Sequence, residues 1–322
     1  MPVSILGTRG CGKSTVIGLL YQGMERYTTL NPDDFIYYIT SETGETVLTI
    51  RNNMLRGMFP PATTRHTLDM FQFLMGFKPK MTEKLVNLVK FREGQWAGLT
   101  FTVYDISGED IQEYKRSKSA DQRIKRIFDA NIVVIIVDTS IFTNATSGRK
   151  FIKMLELDKE IAIILSAYVE YRNKNKLEEE LHPIFVLAKA DAIDNEIKND
   201  FGMEKMRDEY DPDVTYEIGN NLLKSYLSAT LAAIYGSQKV YVPLHKAKYF
   251  FSWVEQEKVD GMATAAGDAP KLKVIRDKEG GHAWNAYPTH MYEGFLNHFR
   301  DLSEKYADPR KQVEEIFGRI SD

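Results

Sequence analysis

The first residues able to do chemistry are Gly7, Gly12, Lys13 and Ser14, within the stretch GTRGCGKST that starts at Gly7. Their spacing completes the pattern G-x-x-x-x-G-K-[ST]. A short apolar run, VSIL, precedes it and a helical run, STVIGLLYQ, follows, which is the setting such a loop requires. Glycines here, Gly10 among them, let successive backbone N–H groups turn inward around a phosphate, and a helix starting at the loop adds partial positive charge. The expected chemistry is capture of a nucleoside triphosphate. Lys13 would bridge the β- and γ-phosphates, the Ser14 hydroxyl would hold Mg2+, and Thr15 would approach the α-phosphate.

Three later stretches bear on which nucleotide and what becomes of it. FTVYDISGED ends an apolar run at Asp105 and puts Gly108 three residues on, a D-x-x-G. FVLAKAD ends another run with Lys189 and Asp191, a K-x-D. A carboxylate only accepts hydrogen bonds, so Asp191 can take both the N1–H and the 2-amino group of guanine, whereas adenine offers an acceptor at N1. Between the phosphate loop and these stretches lies GMFPPATTRH, with Thr63 and Thr64 placed after two prolines that stiffen the approach.

In this order the phosphate loop, P-P-A-T, D-x-x-G, VVIIVD and A-K-A-D resemble the Ras-like and translation-factor class of P-loop GTPases, over about residues 2 to 255. More narrowly, TVLTIRNNMLRGMFPPATT is similar to the double-GTPase-like families, in which a helix extends the first switch. The resemblance implies that Asp105 is directed at Mg2+, that the Gly108 amide faces the γ-phosphate, and that Thr63, preferred to Thr64, completes the metal shell. It implies that Lys189 lies along the guanine base and that Ser252, in YFFSW, stands in the last guanine motif. Ala188 departs from the usual Asn or Thr, which removes a hydrogen bond tying this segment to the phosphate loop. Glu109 stands where Ras-like enzymes carry the Gln that orients the attacking water, and its charge near the γ-phosphate implies slow turnover. Arg9 occupies a loop position where small GTPases carry Gly. It could supply positive charge itself, exclude an external arginine finger, or point outward into a surface ion pair.

These residues need a scaffold, and the chain alternates short β-branched runs with helical stretches, the mark of a parallel sheet with crossover helices. Strands are expected at 3–6, 67–75, 99–104, 132–137 and 184–187, with a last one at 240–244 or 249–251. The pair 67–75 and 99–104 lacks a crossover helix between its members and is expected to be antiparallel, with 77–97 as an insertion. Helices are expected at 14–21, 46–56, 112–128, 154–171 and 218–235.

The expected fold is thus α/β, a three-layer P-loop NTPase with a mostly parallel sheet and one antiparallel strand. A GTP-binding domain would span 1–258, its first switch extended over 25–66. A C-terminal addition, 259–322, would carry a hairpin turning at 278–281, a helix striped by Met291, Phe295, Leu296, Phe299 and Leu302, and a short final helix from Asp308.

Composition restricts the function further. With 322 residues, a formal net charge of −3 and a pI near 6.1, the chain has a sizeable core and no global basic footprint, so no nucleic-acid partner is expected. The longest apolar runs, NIVVIIV and IAIIL, are too short to span a membrane, and MPVSILG does not read as a signal peptide. With one cysteine, Cys11, no internal disulfide can form, and a reducing, cytoplasmic setting is expected. The six histidines show no zinc spacing. The basic segment from Lys115 to Arg126 would form the second switch and is the expected surface for a protein effector. The expected function is a Mg2+-dependent guanine-nucleotide switch that binds GTP and GDP and hydrolyses GTP slowly. The alternatives are an ATP-driven ATPase or kinase, or a GTP-binding scaffold that no longer hydrolyses.

Overall fold

The computed structural model describes residues 3–8, 10–39, 41–60, 69–77, 97–105, 125, 127–177, 180–206, 208–235, 247–257, 271–276 and 282–306. Seven strands form one sheet: β1 (Val3–Gly7), β2 (Phe35–Ile39), β3 (Asp69–Phe77), β4 (Ala97–Asp105), β5 (Ile132–Asp138), β6 (His182–Ala188) and β7 (Lys248–Ser252). Their order is β2-β3-β4-β1-β5-β6-β7. β4, β1, β5, β6 and β7 run parallel, and β3 runs antiparallel to both of its neighbours.

The run IVVIIV explains why this sheet is central. Successive strand residues point to opposite faces, and here both phases are apolar. Val133, Ile135 and Val137 enter one core, while Ile132, Val134 and Ile136 enter the other. Helices must therefore cover both faces. On one side lie α3 (Arg149–Lys174), the short α4 (Asn195–Asp200), α5 (Pro212–Tyr226) and α6 (Ser228–Tyr235). On the other lie α1 (Lys13–Leu30), α2 (Ser41–Leu55) and α7 (Thr289–Tyr306), the last burying Phe295, Leu296, Phe299 and Leu302 of the expected stripe there, whereas its Met291 packs into the opposite core. The result is three layers, α/β/α, with the antiparallel β3–β4 pair as expected. No helix among the described residues is long and apolar enough to cross a membrane.

Three differences from the sequence reading have tertiary causes. First, α1 continues past Tyr21 to Leu30, because the polar Gln22 is buried against Asn285 and Gly23 lies close to Tyr292. Second, the helix expected over 218–235 is two helices broken at Leu227. The first amides of α6, at Ala229 and Thr230, donate to the Asp158 carboxylate of α3 at 3.0 and 2.8 Å, so a distant side chain caps a new helix. Third, FIYYI forms the edge strand β2 within the 25–66 stretch, registered on β3 with Phe35 against Phe77. The last strand of the sheet is Lys248–Ser252; residues 240–244, the insertion 78–96, the hairpin turn 278–281, most of the expected helix 112–128 and the helix from Asp308 lie outside the described residues.

The C-terminal hairpin, β8 (Val274–Arg276) with β9 (Ala283–Asn285), is stitched to the rest by backbone bonds. Leu272 N–H donates to the Gly57 carbonyl at 2.8 Å, and Glu255 N–H donates to Ala286 at 2.9 Å. At its base Asn285 is fully buried. Its side chain accepts from Gln22 Nε2 at 2.8 Å and donates to the Met54 carbonyl at 2.9 Å, while its backbone N–H donates to Gln22 Oε1 at 2.9 Å. One residue thus joins α1, the end of α2 and the hairpin. Replacing Asn285 with Ala would leave the Gln22 amide without its buried side-chain acceptor. We predict a loss of about 2–4 kcal/mol of stability, read as a lowered urea midpoint at unchanged m-value. A variant as stable as the wild type would contradict that bridging role.

Candidate functional site

Because five strands run parallel, their C-terminal ends lie at one edge of the sheet, the edge at which open α/β folds bind ligands. β1 ends at Gly7, β4 at Asp105, β5 at Asp138, β6 at Ala188 and β7 at Ser252. The register aligns them: Gly7 lies opposite Ile136, Asp138 opposite Ala188, and Ala188 opposite Ser252.

The loop leaving β1 is shaped by its glycines. At Gly7 a Cβ would come within 2.9 Å of the Ile136 carbonyl and 2.7 Å of Cys11 Sγ, so only hydrogen fits between strand and loop. Gly12 has φ 102°, the left-handed conformation from which α1 starts without a side-chain cap. The first turn of α1 carries no acidic residue, so the positive end of the helix dipole faces the loop without a carboxylate from its own first turn. Lys13 is only 7% exposed; its ammonium folds back to donate to the carbonyls of Gly7 at 3.0 Å and Thr8 at 3.3 Å. Cys11 is buried beneath the loop, and its N–H donates to Thr8 at 3.3 Å. Ser14 and Thr15 follow on the first turn, half-buried, and Gly10 is exposed at the crest.

A second loop, leaving β6, meets the first. Lys189 takes a left-handed φ of 59° and sends its ammonium across to the Gly10 carbonyl at 2.9 Å and to Asp138 Oδ2 at 2.6 Å. Ala188 lacks the amide or hydroxyl whose hydrogen bond the sequence reading found missing here; a different bond, that of Lys189, joins the two loops. Asp191 follows in a short 3-10 turn and is exposed as a residue. Loss of solvent around its carboxyl nevertheless raises its pKa above the ordinary 3.8, against the opposing pull of its own amide and of Lys198. Its backbone carbonyl accepts from Lys198 Nζ at 2.6 Å.

Ser252 is buried at the end of β7, and its hydroxyl pairs with that of Tyr292 at 2.8 Å. Burial pushes the Tyr292 phenol well above its usual pKa, so this pair stays neutral. With its hydroxyl engaged, Ser252 has its backbone to present at the strand end. Arg9, Thr63, Thr64, Gly108, Glu109 and residues 115–124 and 126 lie outside the described residues; Lys125 is exposed.

The residues present fit a polyphosphate with a divalent cation: a cationic Lys13, a helix N-terminus with no acidic residue in its first turn, and the Ser14 hydroxyl in that turn. Asp105 closes β4, the strand whose register sets it opposite Ile5 of β1. No group of three His, Cys, Asp or Glu side chains among the described residues gathers to hold a metal by itself. Two residues to which the sequence reading gave no role sit at the same edge, the first of them ending the quoted VVIIVD. Asp138 receives Lys189, and the buried Thr139 donates its hydroxyl to the Ala188 carbonyl at 2.8 Å. The available signal was a single carboxylate ending the otherwise apolar run IVVIIVD. The chain matches no protein-family model, and a search of curated proteins finds none that matches it in sequence.

The loop geometry gives a graded expectation. Gly7→Ala should cost about 1–3 kcal/mol, because its methyl meets the backbone of β5. Gly10→Ala, whose methyl would meet nothing within 4 Å, should cost only about 1 kcal/mol for its positive φ. Thermal unfolding of the two variants checks the order, and equal losses would refute it.

Proposed function

We propose that this chain is a guanine-nucleotide-binding switch that binds Mg-GTP and hydrolyses it slowly to GDP and phosphate. The observation that carries the reading is the 2.9 Å contact from Lys189 Nζ to the Gly10 carbonyl, which joins a K-x-D loop to a phosphate loop 179 residues away. A polyphosphate cradle and a carboxylate suited to guanine then share one sheet edge.

In this reading Lys13 leaves the carbonyls of Gly7 and Thr8 for the β- and γ-phosphate oxygens, exchanging neutral acceptors for charged ones. Loop amides and the start of α1 hold the remaining oxygens. Ser14, Asp105 and Thr63 are the residues that would hold Mg2+, which supplies charge neutralisation at the phosphates. Ionised Asp191 accepts from guanine N1–H and the 2-amino group, and the Lys189 stem lies along the base. By the resemblance, the Gly108 amide would face the γ-phosphate and Glu109 would accept from the attacking water. Its negative charge opposes the developing charge of the transition state, hence slow turnover. Arg9 is the residue able to offset that charge from within the loop. The segment from Lys115 to Arg126 is the proposed effector surface.

The test is affinity of the purified protein for GTP, GDP and ATP with Mg2+. Guanine nucleotides should bind at least about tenfold tighter than ATP, a difference of roughly 1.4 kcal/mol; equal or tighter ATP binding overturns the proposal in favour of an ATP enzyme. Asp191→Asn should weaken GTP by on the order of 10- to 100-fold and favour xanthosine nucleotides, whose 2-oxo group accepts from the new amide. Lys13→Ala should abolish measurable triphosphate binding while leaving the fold intact. Tight GTP binding without single-turnover hydrolysis would leave a scaffold and remove the enzyme.

A further inference from the structure

The turn that follows β5 does more than connect it to α3. Asp138 ends β5 with its carboxylate divided between two tasks. Oδ2 receives Lys189 Nζ at 2.6 Å, and Oδ1 accepts from Ser140 N–H at 3.1 Å and Ser140 Oγ at 2.5 Å, capping the 3-10 turn Thr139–Ile141. The next residue, Thr139, is fully buried and donates to the Ala188 carbonyl at 2.8 Å, one residue before Lys189. The K-x-D loop is therefore held from β5 at two adjacent points, one ionic and one neutral. Neither bond involves the side chain at 188, where the sequence carries only a methyl group.

We propose that Asp138 and Thr139 are positioning residues for base selection: together they fix the Lys189–Asp191 loop in the place of the side-chain tether absent at Ala188. The inference rests on the guanine-nucleotide reading above. Lys189 adopts a left-handed backbone, unfavourable for a non-glycine residue, and such a conformation persists only when its surroundings over-determine it. The Asp138 carboxylate and the Gly10 carbonyl supply that determination by both accepting from the one ammonium. The Asp138 side chain is 17% exposed and that of Lys189 41%, so solvent screens the pair and its role lies in geometry rather than in bulk stability. Without the carboxylate, Lys189 retains one anchor, the loop samples other backbone conformations, and Asp191 loses its fixed angle to the base. Phosphate capture by Lys13 should change far less than base selection, because Lys13 has its own anchors in the Gly7 and Thr8 carbonyls and Asp138 reaches that loop only through Lys189 at Gly10.

The consequence is a loss chiefly of base discrimination. In Asp138→Asn the GTP-to-ATP affinity ratio should fall about five- to tenfold, with inorganic triphosphate binding changed far less. Combined with Lys189→Met in a double-mutant cycle, the two losses should be strongly non-additive. Thr139→Val should lower the ratio more mildly and Thr139→Ser should restore it, which keeps the test alive if Asp138→Asn fails to fold. A residue that only stabilises the fold would lower the melting temperature and leave the ratio unchanged; that outcome, or additive losses in the cycle, overturns the inference. A wild-type protein without guanine preference overturns the underlying functional reading and this one with it. A selective wild type with selective variants overturns this one alone.

Discussion

Burial of β5 on both faces is the constraint on which the rest of the molecule depends. A strand whose two faces both point into apolar cores cannot sit at an edge or beside solvent, so it needs strands on either side and helices above and below. β1 and β6 are those strands, registered residue for residue from Val3 against Ile132 to Asp138 against Ala188. Because they are parallel, the chain must cross over by helices, and every loop leaving a C-terminal strand end emerges at the same edge. The site is a consequence of that geometry.

At that edge the loops are braced by one another. The glycine-rich loop after β1 owes its shape to Gly7, squeezed between β5 and Cys11, and to the left-handed Gly12. Its crest is held by Lys189 at the Gly10 carbonyl, and Lys189 is in turn held by Asp138. An alanine at position 188 would otherwise leave the second loop anchored by its strand alone. A lysine reaching across two loops and a threonine bonded to the strand's last carbonyl anchor it further.

The C-terminal segment is integral to this arrangement. α7 lies along α1 on the face opposite α3, its Tyr292 touching both Gly23 and Ser252, and the hairpin residue Asn285 ties Gln22 to the end of α2. Burying two amide side chains in an apolar core is costly unless both ends are satisfied, and here each completes the other. The helix that starts at the phosphate loop is therefore braced along its length by residues from the far end of the chain.

Much of this was legible in the sequence because local periodicity carried it. IVVIIV, IFVL and the stripe of α7 announce their environments through the spacing of apolar residues, and G-x-x-x-x-G-K-S has a local loop-and-helix meaning that needs no partner. By the same local chemistry, Lys189 and Asp191 were visible as a pair. What tertiary structure decided was everything resting on contacts between distant segments. Asp158 breaks one expected helix by capping another, Gln22 carries α1 beyond its local polar stop by meeting Asn285, and Asp138 becomes part of the site by receiving Lys189. In each case a polar side chain unremarkable in its own neighbourhood acquires its role from a partner that only the folded sheet brings within hydrogen-bond distance, and no period or spacing along the chain encodes that meeting.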